Sequence, residues 1–145
     1  MSRAGLLVLA GGGHSHAIVL KRWAMRPEQR PKQSIVLVNR SSAALYSGMV
    51  PGLIAGLYRR DELAIDLRQL CDRAGVAFVE AEITGLNPQD KCLLLRNRPE
   101  LHFDWLSLDI GAVSRPSATG IPIKPLEASL AFLASEDACD PKPLR

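Results

Sequence analysis

Three consecutive glycines, Gly11, Gly12 and Gly13, follow a short apolar run, Leu6–Ala10. A glycine turn between a strand and a helix presents backbone N–H groups at the helix N-terminus, where a phosphate can bind. Gly11 allows the tight turn out of the strand, and Gly13, which lacks a Cβ, lets a diphosphate approach the backbone. The pattern predicts dinucleotide binding, and the alternative is a glycine-rich turn without a ligand.

The residues just after the glycines open the predicted helix, with His14 and Ser15 first among them. His16 stands at the third glycine position of the G-x-G-x-x-G pattern. Because that position serves close helix–strand packing, the departure affects either the packing or the register of the motif. His14 and His16 are two residues apart without an evident third ligand, so we predict histidines near the phosphates and no metal site.

Asn39 and Arg40 follow the second predicted strand, residues 35–38, where many dinucleotide-binding domains carry an acidic residue for the ribose. The Asn39 amide can still hydrogen-bond a ribose, and Arg40 can bind a phosphate or stack on adenine. An NADP 2′-phosphate is therefore an alternative ligand for this turn. The other interpretation of Arg40 is a solvated surface cation.

The elements that position these residues form a strand–helix–strand unit, with the helix predicted over His14–Met25. A second helix is predicted between the N-cap Asp66 and Gly75, with Gln69 completing a capping box. A mainly parallel sheet with a small antiparallel strand insert, residues 76–95, completes an α/β, three-layer, Rossmann-like FAD/NAD(P)-binding domain.

The remaining elements extend that domain over residues 1–134. Residues 41–56 are predicted to be irregular, residues 103–110 to be the last apolar strand, and Leu126–Leu133 to be a short helix after a proline-punctuated loop. Residues 135–145 are predicted to be a frayed tail.

Composition supports one ordinary domain with a real core, since 47% of the 145 residues are apolar and 23% are charged. Aromatic residues make up only 5%, so we expect no nucleic-acid partner. The net charge of +3 comes from dispersed cations and favours a solvated surface over attraction to an anionic ligand or an acidic membrane. No apolar run reaches the roughly 20 residues of a membrane span, and we expect a cytoplasmic protein.

Three cysteines, Cys71, Cys92 and Cys139, form no C-x-x-C pair and predict neither a disulfide framework nor a zinc site. Cys71 falls on the apolar stripe of the second helix and is predicted to be a small buried hydrophobic residue. We identify no general acid and assign no catalytic residue.

The glycine turn, the Val38-Asn39-Arg40 segment and the string Tyr46-Ser47-Gly48-Met49-Val50-Pro51-Gly52 together resemble the FAD domain of pyridine nucleotide-disulfide oxidoreductase-like proteins. The similarity is greatest to NADH dehydrogenase-like flavoproteins, especially the version fused in front of selenide, water dikinase. It extends over residues 6–133.

The resemblance implies a set of FAD contacts. Gly11 and Gly13 match the pyrophosphate glycines, Asn39 matches the ribose position, and Ile83 lies where a strand offers its backbone to adenine. Other positions match a loop and a strand end beside the isoalloxazine ring, namely Ser47, Gly48, Met49, Pro51 and Gly111. Asp109 and Ile110 differ from the Ala-Thr that precedes this last glycine in the superfamily, so only Gly111 transfers.

The resemblance also implies what an intact relative does. Such a protein passes electrons from NADH or NADPH to flavin and then to a quinone or another acceptor. A second glycine motif for NADH and a C-terminal return strand over the flavin do not fit in 145 residues, so we expect an incomplete domain that cannot run a redox cycle alone. The alternatives are a non-flavin NAD(P)-binding module and a truncated, non-enzymatic remnant or interaction domain.

Overall fold

A computed structural model describes residues 5–112, 124, 126–133 and 135 of the chain. These residues fall into two compact units, the first made of Met1–Ala44 and Ala64–Ile110, the second of Leu45–Leu63 and Gly111–Arg145. The first unit contains the glycine turn.

Nine strands and four α-helices are described in these ranges. The strands are β1 (Leu6–Ala10), β2 (Ser34–Asn39), β3 (Ala43–Leu45), β4 (Ala64–Asp66), β5 (Ala77–Glu80), β6 (Ile83–Asn87), β7 (Cys92–Leu95), β8 (Leu101–His102) and β9 (Trp105–Leu108). The helices are α1 (His14–Met25), α2 (Val50–Ile54), α3 (Leu67–Ala74) and α4 (Leu126–Leu133).

The centre of the first unit is a parallel four-stranded sheet in the order β5-β2-β1-β9. Ala10 of β1 lies in register with Val38 of β2 and Leu108 of β9. The carboxyl ends of these three strands therefore meet at one edge of the sheet, which is the edge where ligands bind in open α/β sheets.

Alternate residues of the buried strands supply two separate cores, because successive side chains of a strand point to opposite faces. Leu9 and Leu37 pack with Leu20 of α1 and Leu67 of α3 on one face. The opposite face packs on the antiparallel sheet β6-β7-β8 through a second cluster of buried residues, Val8, Ala10, Val36, Val38, Ala81 and Leu93. The predicted three-layer α/β architecture is confirmed. The antiparallel insert, predicted over residues 76–95, is instead β6-β7-β8, residues 83–102, because β5 pairs parallel with β2 and belongs to the main sheet.

Local signals predicted several elements correctly. The strand Leu6–Ala10 and the helix His14–Met25 have the predicted bounds. Asp66 caps α3 by accepting a hydrogen bond from the Gln69 N–H at 2.9 Å, and Gly75 ends that helix in the left-handed conformation with φ of 64°.

Two further predictions on secondary structure were wrong. Residues 41–56, predicted to be irregular, contain β3 and α2. Pro51 does not prevent α2 because it lies in the first turn of the helix, where its missing N–H costs nothing. The strand predicted over 103–110 is only Trp105–Leu108. Phe103 still donates its N–H to the Lys91 carbonyl in the antiparallel layer, so the chain changes layers just before β9.

The second unit contains α2 and α4, and α4 has the predicted bounds. Its buried side chains include Val50, Leu63 and Leu130. The predicted tail, 135–145, lies outside the described residues apart from residue 135, and so does most of the predicted loop before α4. Within the described ranges, every helix is too short or too polar to cross a membrane.

Candidate dinucleotide-binding site

Gly11 makes the turn from β1 into the loop at the carboxyl edge of the sheet. Its N–H donates to the Val38 carbonyl at 2.8 Å, and the Asp109 N–H donates to the Ala10 carbonyl at 2.8 Å. Gly11 has φ of +94°, and a Cβ there would collide with the backbone of Asp109 and Ile110. Only glycine adopts this positive φ readily and leaves room for the Asp109 backbone. The two hydrogen bonds hold the turn against both β2 and β9.

Gly12 connects the loop to the end of β2. Its N–H donates to Oδ1 of Asn39 at 2.9 Å, and Nδ2 of Asn39 donates to the Ser41 carbonyl at 2.8 Å. A Cβ at Gly12 would collide with the buried Leu67 side chain. The Asn39 amide thus holds two parts of the backbone, while one oxygen lone pair and one N–H remain for a ribose hydroxyl.

Gly13 is the N-cap of α1, and its side-chain-free surface lies against the Asp109 carboxylate. The Gly13 N–H donates to the Asp109 carbonyl at 3.2 Å, while Oδ2 of Asp109 accepts from the His16 N–H at 2.9 Å. A Cβ at Gly13 would collide with this carboxylate. Asp109 therefore caps α1 from a distant strand, a role that an N-cap side chain performs in most helices.

His16 fills the third glycine position of the motif with a buried imidazole, only 3% exposed. Nδ1 lies 2.7 Å from the Gly11 carbonyl oxygen, and Nε2 lies 2.8 Å from Oγ of Ser107. A carbonyl can only accept, so Nδ1 donates to Gly11, and in the tautomer that carries its proton on Nδ1 the Nε2 atom accepts a hydrogen bond from the Ser107 hydroxyl. The imidazole thus ties the turn to β9 where a glycine would bring backbones together.

His14 and Ser15 occupy the exposed first turn of α1, beside Gly12 and Gly13, which are partly exposed. This turn is the surface that an incoming phosphate would meet first. The predicted phosphate-binding residues and Asn39 are therefore brought together at one sheet edge.

Two other predicted contacts of the first unit lie beside this edge or in the third layer. Arg40 is exposed directly after β2. Ile83 begins β6, where it is partly buried against the cluster that contains Val38 and Ala81.

The predicted flavin-ring contacts belong to the second unit, where their local structure is as follows. Ser47, Gly48 and Met49 form one 3-10 turn that leads into α2, and Pro51 lies in the first turn of that helix. A Cβ at Gly48 would collide with the Tyr46 ring. Gly111 has φ of +75°, a conformation that favours glycine.

Sequence reasoning missed two residues at the end of β9: Asp109, which bonds Gly13 and His16, and Ser107, which bonds His16. Their signal was polar side chains within and at the end of an otherwise apolar strand. His16 was identified as a departure from the motif, while its bonds to the loop and to β9 were not predicted.

Other reactive side chains of the described residues lie away from this loop. No group of three His, Cys, Asp or Glu in the described ranges is arranged to hold a metal ion.

Cys71 is buried in the core, as predicted. This burial, and to a smaller degree the nearby Asp72 carboxylate, raises the pKa of its thiol to about 12. Cys71 is therefore a packing residue at neutral pH.

The sheet order, the glycine turn at its carboxyl edge and the antiparallel third layer define a Rossmann-like fold of the FAD/NAD(P)-binding type. Solved structures share this fold. The sulfide:quinone oxidoreductase of the hyperthermophilic bacterium Aquifex aeolicus matches with a TM-score of 0.62 at 18% identity, over 74% of this chain and 24% of that one.

Two further structures match to a similar degree. Reduced CoADR-RHD of Bacillus anthracis has a TM-score of 0.63 at 20% identity, over 80% of this chain and 22% of its own. NDH2 of Plasmodium falciparum, solved in complex with NADH, has a TM-score of 0.61 at 14% identity, over 81% of this chain and 24% of its own. This chain thus spans about a quarter of the length of these proteins.

No protein-family model matches the sequence, and no curated protein matches it. At these identities the structural similarity establishes the fold, and function is inferred from the site.

Proposed function

We propose that this chain is the FAD-binding portion of an NAD(P)H-dependent flavoprotein oxidoreductase. The observation that carries the proposal is the glycine turn at the carboxyl edge of β1, β2 and β9. There, Gly11 needs its positive φ, and a Cβ at Gly12 or Gly13 would meet a neighbouring side chain. A turn of this kind, followed at once by α1, is the arrangement that binds a dinucleotide diphosphate.

The residues present fit FAD in the following roles. The exposed first turn of α1, with His14 and Ser15, would face the diphosphate beside Gly13, whose own N–H donates to the Asp109 carbonyl. Asn39 would hydrogen-bond a ribose through its remaining capacity, and Ile83 would offer backbone to adenine. The proposed contacts of the isoalloxazine ring rest on the sequence resemblance alone, and they are Ser47, Gly48, Met49, Pro51 and Gly111. FAD, when bound, supplies the redox chemistry, and the protein supplies binding and orientation.

The structural neighbours support an oxidoreductase. The Aquifex aeolicus neighbour is a sulfide:quinone oxidoreductase, and the Plasmodium falciparum neighbour was solved in complex with NADH. Since the chain spans about a quarter of these proteins, we propose that turnover requires a nicotinamide-binding part in addition to the described units. A quinone or another acceptor, a fused or separate selenide, water dikinase, and a cytoplasmic location belong to the same proposal through the sequence resemblance.

A second candidate is a non-flavin NADP-binding module. It is favoured by Arg40, an exposed guanidinium directly after β2, where a 2′-phosphate of NADP would need a cation. The resemblance of residues 46–52 to a flavin-domain loop favours FAD instead, because a simple nicotinamide domain does not need that segment.

The experiment that tests the proposal is purification of the chain, followed by mass and absorption analysis of any bound cofactor. Calorimetric titration with FAD, NAD⁺ and NADP⁺ then ranks the ligands. We expect FAD to bind most tightly, and Gly13→Val to abolish binding by pushing the Asp109 carboxylate into the loop.

Gly85→Ala is the matched control, since a Cβ there meets the end of the Leu94 side chain, outside the glycine loop. A folded chain that prefers NADP⁺ would support the second candidate. A folded chain that binds none of the three would establish a non-enzymatic remnant or interaction domain.

A further inference from the structure

A carboxylate already occupies the anion-binding end of α1. Gly13 makes no side-chain cap bond, and the first turn of α1 contains no acidic residue. Asp109 supplies the missing acceptor, since its Oδ2 lies 2.9 Å from the His16 amide nitrogen and its carboxylate lies against Gly13. A protein anion therefore uses the helix dipole and one of the amides that make this end of a helix attractive to phosphate.

The position of the Asp109 backbone is fixed by hydrogen bonds of both its N–H and its carbonyl group. The Asp109 N–H donates to Ala10 at 2.8 Å, and the Asp109 carbonyl accepts from Gly13 at 3.2 Å. The side chain can rotate, but the residue cannot leave the loop without breaking the β1–β9 edge. Any diphosphate at the first turn of α1 must therefore bind within a few ångströms of Asp109 or displace its carboxylate.

We propose that Asp109 is the residue that sets the affinity and charge selectivity of the dinucleotide site. Its carboxylate stabilises the loop when no ligand is bound and lowers the affinity for ligands that bring a diphosphate. This inference rests on the proposed function, because it concerns the same site.

The size of the effect follows from Coulomb's law. Two unit charges about 4 Å apart in water-like surroundings change an equilibrium roughly fivefold, and two phosphate charges roughly thirtyfold. The repulsion is screened by salt, so the effect shrinks as ionic strength rises. If Asp109 only shaped the loop, the change in affinity on replacing it would depend neither on the charge of the ligand nor on the salt concentration.

The test compares Asp109→Asn with Asp104→Asn. The amide of Asp109→Asn keeps an oxygen acceptor for the His16 N–H and removes the charge. Asp104 is the matched control, since it precedes β9 and its carboxylate accepts the Leu6 N–H at 2.6 Å at the opposite edge of the sheet. Asp109→Ser is a second neutral capping variant, and thermal unfolding shows that each variant is folded.

Calorimetry with FAD, ADP and adenosine is performed at low and high salt. We expect Asp109→Asn to bind FAD and ADP about five- to thirtyfold more tightly than the unmodified chain at low salt. We expect a smaller gain at high salt and the same affinity for uncharged adenosine. Asp104→Asn should match the unmodified chain throughout.

Two results separate the inference from the proposed function. If the unmodified chain binds FAD and neither Asp109 variant gains affinity, or the gain is equal for adenosine, the inference is wrong and the proposed function stands. If the unmodified chain and both folded Asp109 variants bind neither FAD nor ADP, the proposed function is wrong and the inference with it.

Discussion

Replacing Gly13 by alanine tests how the loop and β9 fit together. Gly13 has φ of −70° and ψ of −179°, which any residue adopts, so alanine brings no backbone strain. The three atoms nearest to the new Cβ are the carboxylate atoms of Asp109. Gly13→Ala should therefore destabilise the fold through this one side chain, in a region where the backbone itself tolerates alanine.

The magnitude has three parts. Overpacking costs about 1–3 kcal/mol, and displacement of the Asp109 cap from α1 costs about 0.5–2 kcal/mol. Alanine also lowers the conformational entropy of the unfolded chain, which offsets these losses by about 0.4–1 kcal/mol. We expect Gly13→Ala to lower the free energy of unfolding by about 0.5–4.5 kcal/mol.

The Asp109→Ala background removes both the collision and the cap. Gly13→Ala should then be neutral, or stabilising by about 0.4–1 kcal/mol. The assay is urea unfolding of the unmodified chain, both single variants and the double variant, analysed as a double-mutant cycle. Equal losses from Gly13→Ala in the two backgrounds would refute the steric account.

Three further predictions concern the loop and the core. Gly11→Ala should destabilise by more than Gly13→Ala and should not be rescued by Asp109→Ala, because its Cβ would meet backbone atoms at a positive φ; urea unfolding of the pair checks this. His16→Ala should lower the free energy of unfolding by about 2–4 kcal/mol through lost packing, one lost buried hydrogen bond and one lost part-buried hydrogen bond, whereas a loss within experimental error would contradict the bonds to Gly11 and Ser107. Because the pKa of Cys71 is raised from 9.0 to about 12, this thiol stays protonated in the folded state at pH values at which it ionises in the unfolded chain. The contribution of Cys71 to the free energy of unfolding should be constant below about pH 9 and fall between about pH 9 and 12, by up to about 1.4 kcal/mol per pH unit. Unfolding measured over this pH range should show that Cys71→Ala removes this part of the pH dependence.

Sequence patterns were sufficient where the physical cause is local. The N-cap Asp66 and the left-handed Gly75 delimit α3 through bonds that span a few residues, so both ends of the helix were predictable. The run Leu6–Ala10 followed by glycines likewise predicted β1 and the start of α1, since burial on both faces of a parallel sheet leaves a continuous apolar strand.

Tertiary structure decided the chemistry of the glycine loop. His16 and Asp109 are 93 residues apart in the chain, and only the parallel register of β1 with β9 brings that carboxylate to the N-terminus of α1. No local spacing encodes this contact, because the position of a strand end depends on which strand pairs beside it. The sequence alone therefore determined that a glycine turn links β1 to α1, whereas the packing of β9 determined that a carboxylate and a buried histidine lie against this turn.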